Sequence, residues 1–461
     1  MATIPQSYLF NWKEIDAASD LDRLRLVLSA LSLVDEGLMV TLEERRGKGR
    51  DDYPIRSTWN AVIAGIVYQH RGIESLRREL RRNGELRQLC GFDPFKGARA
   101  VPSKDAFSRF LELLMRHQEA VLSMFHRLVD ALKEHLRDLG VRTAVDSKAI
   151  PSFGRPVRDE NKLKEDDRRR DTDADWGTKT YKGTRKDGTA WEKVSKWFGY
   201  KLHLLVDSVY ELPLAFELDV ASSSDATHLI PLVEDVEAQH PHIHEDMREC
   251  AADKGYDSAQ NNNELYDDHH IKPVIDTRTL WKTKTHETLF PDRYNVFTYD
   301  ETGRVFCTCP SEKREQDETR PLAFVGFEKD RNTLKYRCPA AAFGFECAGR
   351  AECDKLSPVG VGDFGRIVRI PLGLDRRIFT PIARHTDKWE KAYDRRTSVE
   401  RVNSRLDQVL GFEHHTIRGK AKMETRITLA LVVMLSMALG RIQIGQVDRM
   451  RSLVAPIEPA A

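Results

Sequence analysis

The hydrophobic period of this chain changes near Val141, and that change restricts the folds open to it. Up to about Leu136 apolar residues recur three and four apart, as in Leu24, Val27, Leu28 and Leu31 and again in Phe107, Phe110, Leu111 and Leu114. That is the pattern of helices with one buried face. Beyond it, Val141 to Asp146 is short and partly β-branched, Tyr200 to Asp207 begins in alternation and ends in an apolar run, and Pro213 to Val220 supplies a third strand. The turn-prone Asp207–Glu211 segment predicts an antiparallel meander for the second and third. Asp225 to about Gln239, with Leu229, Leu232, Val233 and Val236, predicts a helix before a fourth strand at Glu249 to Ala252. This order belongs to a mixed sheet, so the expected class is α/β (α+β), with an all-helical N-terminal domain.

With 461 residues the chain is longer than one core usually organises. We expect a helical domain at 1–138, the first part of a sheet-bearing core at 139–275 and an irregular, Cys-bearing insertion subdomain at 276–384. The second part of the core follows at 385–446, and a flexible tail at 447–461. Hydrophobic residues at 40% and charged residues at 31% fit a globular chain, not a disordered one. The longest apolar stretch, Ile427 to Leu439, is interrupted by Thr428 and Ser436. It falls short of the roughly 20 residues a bilayer requires, so it reads as a buried helix and no membrane partner is expected. No basic, apolar leader precedes Asn11, which points to a reducing cytoplasm. The 73 Lys+Arg balance 72 Asp+Glu, so any polyanion must be met by local patches. Arg71, Arg77, Arg78, Arg81, Arg82 and Arg87 form one such patch, a candidate DNA-binding surface; a solvated, Arg-rich helix face gives the same pattern.

Three acids stand out by context. Asp146 ends the first strand, Asp253 follows the fourth in Asp253-Lys254-Gly255-Tyr256-Asp257, and Glu400 lies on a predicted helix. Central strands of a mixed sheet end at a common edge, where a flanking helix can add a third carboxylate. Two bare carboxylates about 4 Å apart repel by roughly 4 kcal/mol at an effective dielectric near 20, so such a cluster calls for a cation. Mg²⁺ prefers oxygen ligands, and Mn²⁺ accepts the same octahedral set. Two such ions about 3.5–4 Å apart suit an in-line phosphoryl displacement. On the third element, Tyr393, Arg396, Glu400, Asn403 and Asp407 share one polar arc at about 100° per residue. Val399, Val402, Leu406, Val409 and Leu410 gather on another arc; an ordinary amphipathic helix has the same appearance.

These residues carry a resemblance. Tyr393-x2-Arg396-x3-Glu400, within Thr397-Ser398-Val399-Glu400-Arg401-Val402-Asn403-Ser404-Arg405, resembles the signature around the last catalytic acid of insertion-sequence DDE transposases. Ala144-Val145-Asp146-Ser147 is similar to that family's first acidic strand, Trp197–His203 to its second strand, and Ala252–Asp257 to the surroundings of its second acid. Asp173-Ala174-Asp175-Trp176-Gly177 resembles the loop before the second strand. The resemblance implies a ribonuclease H-like mixed five-stranded sheet flanked by helices, in which Asp146, Asp253 and Glu400 hold two Mg²⁺ ions. It further implies cleavage at the element's terminal inverted repeats, transfer of the freed 3′-OH into target DNA, and a homodimer on DNA. Tyr393 and Arg396 are then expected to contact DNA, with Arg77, Arg78 and Arg81 as further contacts. Where the family often has a Lys two turns beyond the Glu, this chain has Asp407; Arg405 or Lys420 is the expected substitute.

Five of the seven cysteines, Cys307, Cys309, Cys338, Cys347 and Cys353, fall in the insertion. Cys309, Cys338, Cys347 and Cys353 are candidate ligands of a structural zinc, against reduced, unligated thiols. The long Arg155–Ala190 segment, with Lys164, Arg168, Arg169, Arg170, Lys179, Lys182, Arg185 and Lys186, reads as a solvated loop, with DNA contact as the alternative. His203 reads as a core or edge histidine, His414 and His415 as loop contacts, and Asp207 and Asp257 as turn residues. Two other functions remain open: a metal-dependent nuclease of the same fold, and a domesticated DNA-binding descendant without strand transfer.

Overall fold

In the computed structural model, the described residues between Leu21 and His135 form seven α-helices: Leu21–Leu31, Glu36–Glu44, Ile55–Val67, Ile73–Arg82, Gly84–Cys90, Lys104–Arg116 and Gln118–His135. The residues described are 21–44, 53–154, 156, 171–185, 187–278, 281, 284–289, 296–309, 318–347, 350–355 and 362–457. Each helix obeys local rules. Ser103 caps the sixth by accepting from Ala106 N at 3.1 Å, and Asn83 caps the fifth by accepting from Leu86 N at 2.9 Å.

Six strands follow: β1 (Arg142–Pro151), β2 (Asp175–Thr184), β3 (Ala190–Asp207), β4 (Leu212–Val220), β5 (Glu249–Ala252) and β6 (Lys272–Ile275). They form one sheet in the order β2-β3-β1-β5-β6, with β4 also paired to β3. β1, β2 and β4 run antiparallel to β3, whereas β5 runs parallel to β1 and β6 parallel to β5, so the sheet is mixed. The first half of β3 pairs with β2, and its second half lies between β1 and β4. Asp207 closes the β3–β4 turn: its buried carboxylate accepts the N–H groups of Gly140, Val209 and Tyr210 at 2.8, 2.8 and 2.6 Å.

One strand departs from the reading of the sequence, which places a loop over 155–190 and expects five strands. β2 forms an exposed ribbon with the start of β3 and therefore lacks the half-buried alternation that betrays a strand. Its glycines face tryptophans. A Cβ on Gly177 would lie 2.4 Å from the Trp197 ring and one on Gly183 2.6 Å from that of Trp191, so the rings lie over bare backbone. Lys164, Arg168, Arg169, Arg170 and Lys186 lie outside the described residues. At the base of the ribbon, the Asp173–Gly177 motif is tied down. Asp173 accepts from Lys420 N at 3.2 Å and Asp175 from Ser222 N at 2.9 Å.

A continuous apolar core runs from the helices into the sheet, through Leu24, Trp59, Phe107, Leu128, Val145, Leu204 and Val433. The helix Lys420–Gln443 joins the two, packing along Gln118–His135, Leu21–Leu31 and β4. It is long and apolar enough to cross a membrane, yet 89% of its most apolar window is buried within the protein, which accounts for its composition. Residues 276–384 carry a second core of their own, built on Phe297, Tyr336, Ile370 and Phe379 between two small sheets.

Gly440 packs directly against the helix Leu21–Leu31, where an added Cβ would lie 2.6 Å from Leu26 Cγ. Gly440→Leu should destabilise the protein by about 1–3 kcal/mol through overpacking. Urea denaturation checks this; an unchanged midpoint would show that the two helices separate without cost.

Candidate active site

Strand register brings two acids together. Val145 of β1 is the partner of Ala252 of β5 in parallel pairing, so Asp146 and Asp253 each follow a paired residue on neighbouring strands that run the same way. Asp146 is 9% exposed. One of its oxygens accepts from Ser147 N at 2.8 Å, and the other lies 3.6 Å from Arg396 Nη1. Burial, reinforced by the charge of Asp253, pushes the Asp146 carboxyl up to about 6, against the pull of the Ser147 N–H, Lys179 and Arg396. Asp253 caps the short turn after β5 by accepting from Gly255 N at 2.7 Å.

Glu400 comes from the helix Thr397–Gln408, which packs across β1 and β3 through buried Val399, Val402 and Leu406. The polar arc read from the sequence is not one continuous α-helix. Asp387–Tyr393 and Thr397–Gln408 are joined by a 3-10 turn at Asp394–Arg396. Arg396 sits between the acids, with Nη1 2.8 Å from Glu400 Oε1 and 3.6 Å from Asp146 Oδ2. Its guanidinium lies over the ring of Tyr393, 5.7 Å from the centroid, and Tyr393 stacks on Trp389 with centroids 4.8 Å apart. The site is therefore two carboxylates from the sheet and one from a helix, linked by an Arg. Asn403 Oδ1, one turn beyond Glu400, is buried without a hydrogen-bond partner, as is Arg396 Nε.

Several neighbours were not read from the sequence. Asp225 stands close to Asp253, since a Cβ on Gly255 would meet Asp253 Oδ1 at 2.7 Å and Asp225 Oδ2 at 2.9 Å. Asp225 pairs with Lys201 Nζ at 2.9 Å. Below them lies buried Tyr256, whose hydroxyl is 3.0 Å from His203 Nδ1. Its phenol is held well above the ordinary range by burial, then by the charges of Asp225, Asp146 and Asp253. His203 is fully buried and stacks on His228 at 3.9 Å. The signal for Asp225 was weak, because a lone Asp after three serines reads as a helix cap.

Other candidates fall elsewhere. Asp407 is engaged by Lys148 of β1, two residues beyond Asp146. Arg405 is committed to Glu211, with Nη2 3.0 Å from its carboxylate and 2.9 Å from its carbonyl, and Lys420 Nζ lies 3.6 Å from Asp219. Asp257 pairs with Arg377 at 2.5 Å. Arg77 donates to Pro102 O at 2.9 Å and Glu74 at 2.7 Å, while Arg78 and Arg81 are exposed. In the insertion, Cys307, Cys338, Cys347 and Cys353 line one cavity of about 30 Å³. The side chain of Cys309 lies outside the described residues, and the sequence reading had left Cys307 out.

Comparison with known families matches the family described as Transposase DDE domain over residues 139–435. That range is well over half of the chain and contains all three acids. Among curated proteins nothing matches.

The buried acid pair makes a prediction about stability in the absence of divalent cations. A carboxyl raised from 3.8 to about 6 binds its proton more tightly folded than unfolded. Its ionisation therefore costs stability, and stability falls as pH rises through the interval between these values, by about 3 kcal/mol in all. Asp146→Asn should remove that component, so its advantage over the unsubstituted protein grows from pH 4 to pH 7. Urea titrations at both values test this; a constant difference between the two proteins would contradict it.

Proposed function

Since the chain belongs to the Transposase DDE domain family, we propose that it is the DNA transposase of an insertion sequence, cutting phosphodiesters at the element's terminal inverted repeats and transferring the 3′-OH ends into target DNA. The observation that carries this reading is the parallel β1–β5 register, which sets Asp146 beside Asp253 with Arg396 reaching from Asp146 to Glu400. The strand order supports a ribonuclease H-like core. Leaving β2 aside, three antiparallel strands, β4-β3-β1, continue into two parallel ones, β5-β6.

The donor set suits a hard divalent cation: the oxygens are carboxylates, and a positive group, the Arg396 guanidinium, already lies between Asp146 and Glu400. Asp146, Asp253 and Glu400 are the residues that would hold two Mg²⁺ ions. Bound there, such ions would supply Lewis-acid stabilisation of the attacking and leaving oxygens. The chain's own residues supply the rest. The protein shields Asp146 from solvent, which strengthens every charge interaction at that edge. Arg396 presents a planar fork suited to two phosphate oxygens, held against the Tyr393 ring. Lys148 brings to the Asp407 position the positive charge that the family pattern often carries in the helix itself. The exposed Arg78 and Arg81, with Arg77 anchored beside them, offer a second phosphate-binding face on the helical part. Concerted cutting of two ends requires two active sites, hence a homodimer on DNA. In the insertion, Cys338, Cys347 and Cys353 with Cys307 or Cys309 would hold a structural zinc ion.

Cleavage of a DNA duplex carrying the terminal repeats tests the assignment. Asp146→Ala, Asp253→Ala and Glu400→Ala should each abolish Mg²⁺-dependent cleavage while DNA binding persists, and Mn²⁺ should replace Mg²⁺ for the unsubstituted protein. Residual cleavage in any of the three would remove that acid from the metal set, whereas cleavage without end joining would make the protein a nuclease. Arg396→Ala should reduce cleavage by about 10²-fold or more, the scale seen when one donor to a developing charge is removed; a smaller loss would assign Arg396 to holding Glu400 alone.

A further inference from the structure

At the other end of β5 from Asp253, three side chains converge that the proposed reaction does not use. Glu237 lies on the helix Leu229–Gln239, His244 on the helix Pro241–Asp246 just before β5, and His269 at the end of the turn before β6. His244 Nε2 and His269 Nδ1 are 3.1 Å apart. Glu237 Oε2 is 3.6 Å from His269 Nδ1, and its Oε1 is 4.0 Å from His244 Nδ1. One donor atom from each residue lies within 4.8 Å of those of the other two, the one such group among the described residues.

We propose that Glu237, His244 and His269 form a binding site for a zinc-class divalent cation, separate from the acidic centre. Two nitrogens bound to one zinc at 2.0–2.1 Å with tetrahedral angles are separated by about 3.4 Å, close to the spacing of the two imidazoles. The rings are nearly perpendicular, at 83°, so the nitrogens meet edge to edge and the rings do not stack. Both histidines are largely buried, with side chains 12% and 9% exposed, while Glu237 at 53% leaves the group open to solvent on one side.

The backbone presents His269 by an uncommon route. Glu264–Asp268 is a π turn in which the His269 N–H reaches back to Glu264 O at 3.1 Å, and the next residue, His270, has φ +59° without being glycine. Two imidazoles and one carboxylate select zinc, nickel or copper over Mg²⁺, which keeps to oxygen. A cation here would join the entries of β5 and β6, the parallel pair whose first strand leads to Asp253, as a structural clamp with one coordination position left to water.

Calorimetric titration of the full chain with Zn²⁺ in excess Mg²⁺ tests the site, compared with His269→Ala and Glu237→Gln. The unsubstituted protein should bind one equivalent more than His269→Ala, and Glu237→Gln should bind that equivalent at least tenfold more weakly. Since His269→Ala could disturb its turn, Glu237→Gln at an exposed carboxylate gives the independent check. Co²⁺ spectra separate this site from the thiols: the histidine variant should lose weak visible bands and keep any intense near-ultraviolet thiolate absorption. Equal stoichiometry and affinity in all three proteins, a Co²⁺ spectrum of thiolate character only, or an unaltered affinity in Glu237→Gln would overturn the three-donor site. None of these results depends on DNA cleavage, so this site and the acidic centre stand or fall separately.

Discussion

Parallel pairing of β1 with β5 places two like charges side by side in a corner largely closed to water, and much of the surrounding structure answers that conflict. Alone, a buried carboxylate beside another is held partly protonated, as the upward push on Asp146 indicates. Arg396 and the Ser147 N–H offset part of the cost from one side. On the other, Lys201 neutralises Asp225, the further carboxylate close to Asp253. The protein thus contains a strongly negative edge that it balances only in part with its own cations. Such an edge suits a hard, oxygen-preferring divalent cation.

The helix that bears Glu400 plays a different part. Its apolar side is fixed across β1 and β3, whereas Glu400 itself remains exposed and tethered through Arg396. Sheet-borne acids are positioned by backbone hydrogen bonds, and the third acid by side-chain packing. The 3-10 turn at Asp394–Arg396 shifts the Trp389–Tyr393 stack out of simple register with the Glu400 helix and brings the Arg396 side chain between the two elements.

Much of this was legible in the amino-acid sequence because it rests on local rules. β5 follows the reading residue for residue, β4 begins one residue earlier than read, and the Leu229–Gln239 helix is shorter at its start because Asp225–Thr227 forms a separate 3-10 turn. Asp253 could be singled out because it follows a short apolar strand, and Asp146 because it closes the apolar run Ala144–Val145. β1 itself continues to Pro151, past Asp146, where the reading ended the strand. What escaped notice depends on distant partners. β2 is a strand because Trp191 and Trp197 cover its glycines, a relation between segments. Arg405 shares the Glu400 helix but turns to Glu211, and Asp407 meets Lys148 from the sheet; a helical wheel contains neither partner. Asp225 and the His244–His269 pair are likewise assembled by tertiary folding from unremarkable turns.

The helix Lys420–Gln443 packs on Leu21–Leu31, from which Arg23 Nη1 also donates to Leu453 O at 3.0 Å. Contacts between residues so distant along the chain carry a large loop-closure entropy and belong to slow folding steps. On a ribosome the helix Leu21–Leu31 would wait, with part of its apolar surface uncovered, until the segment Lys420–Gln443 had emerged. Closure of this part of the core is thereby tied to the emergence of a helix far downstream.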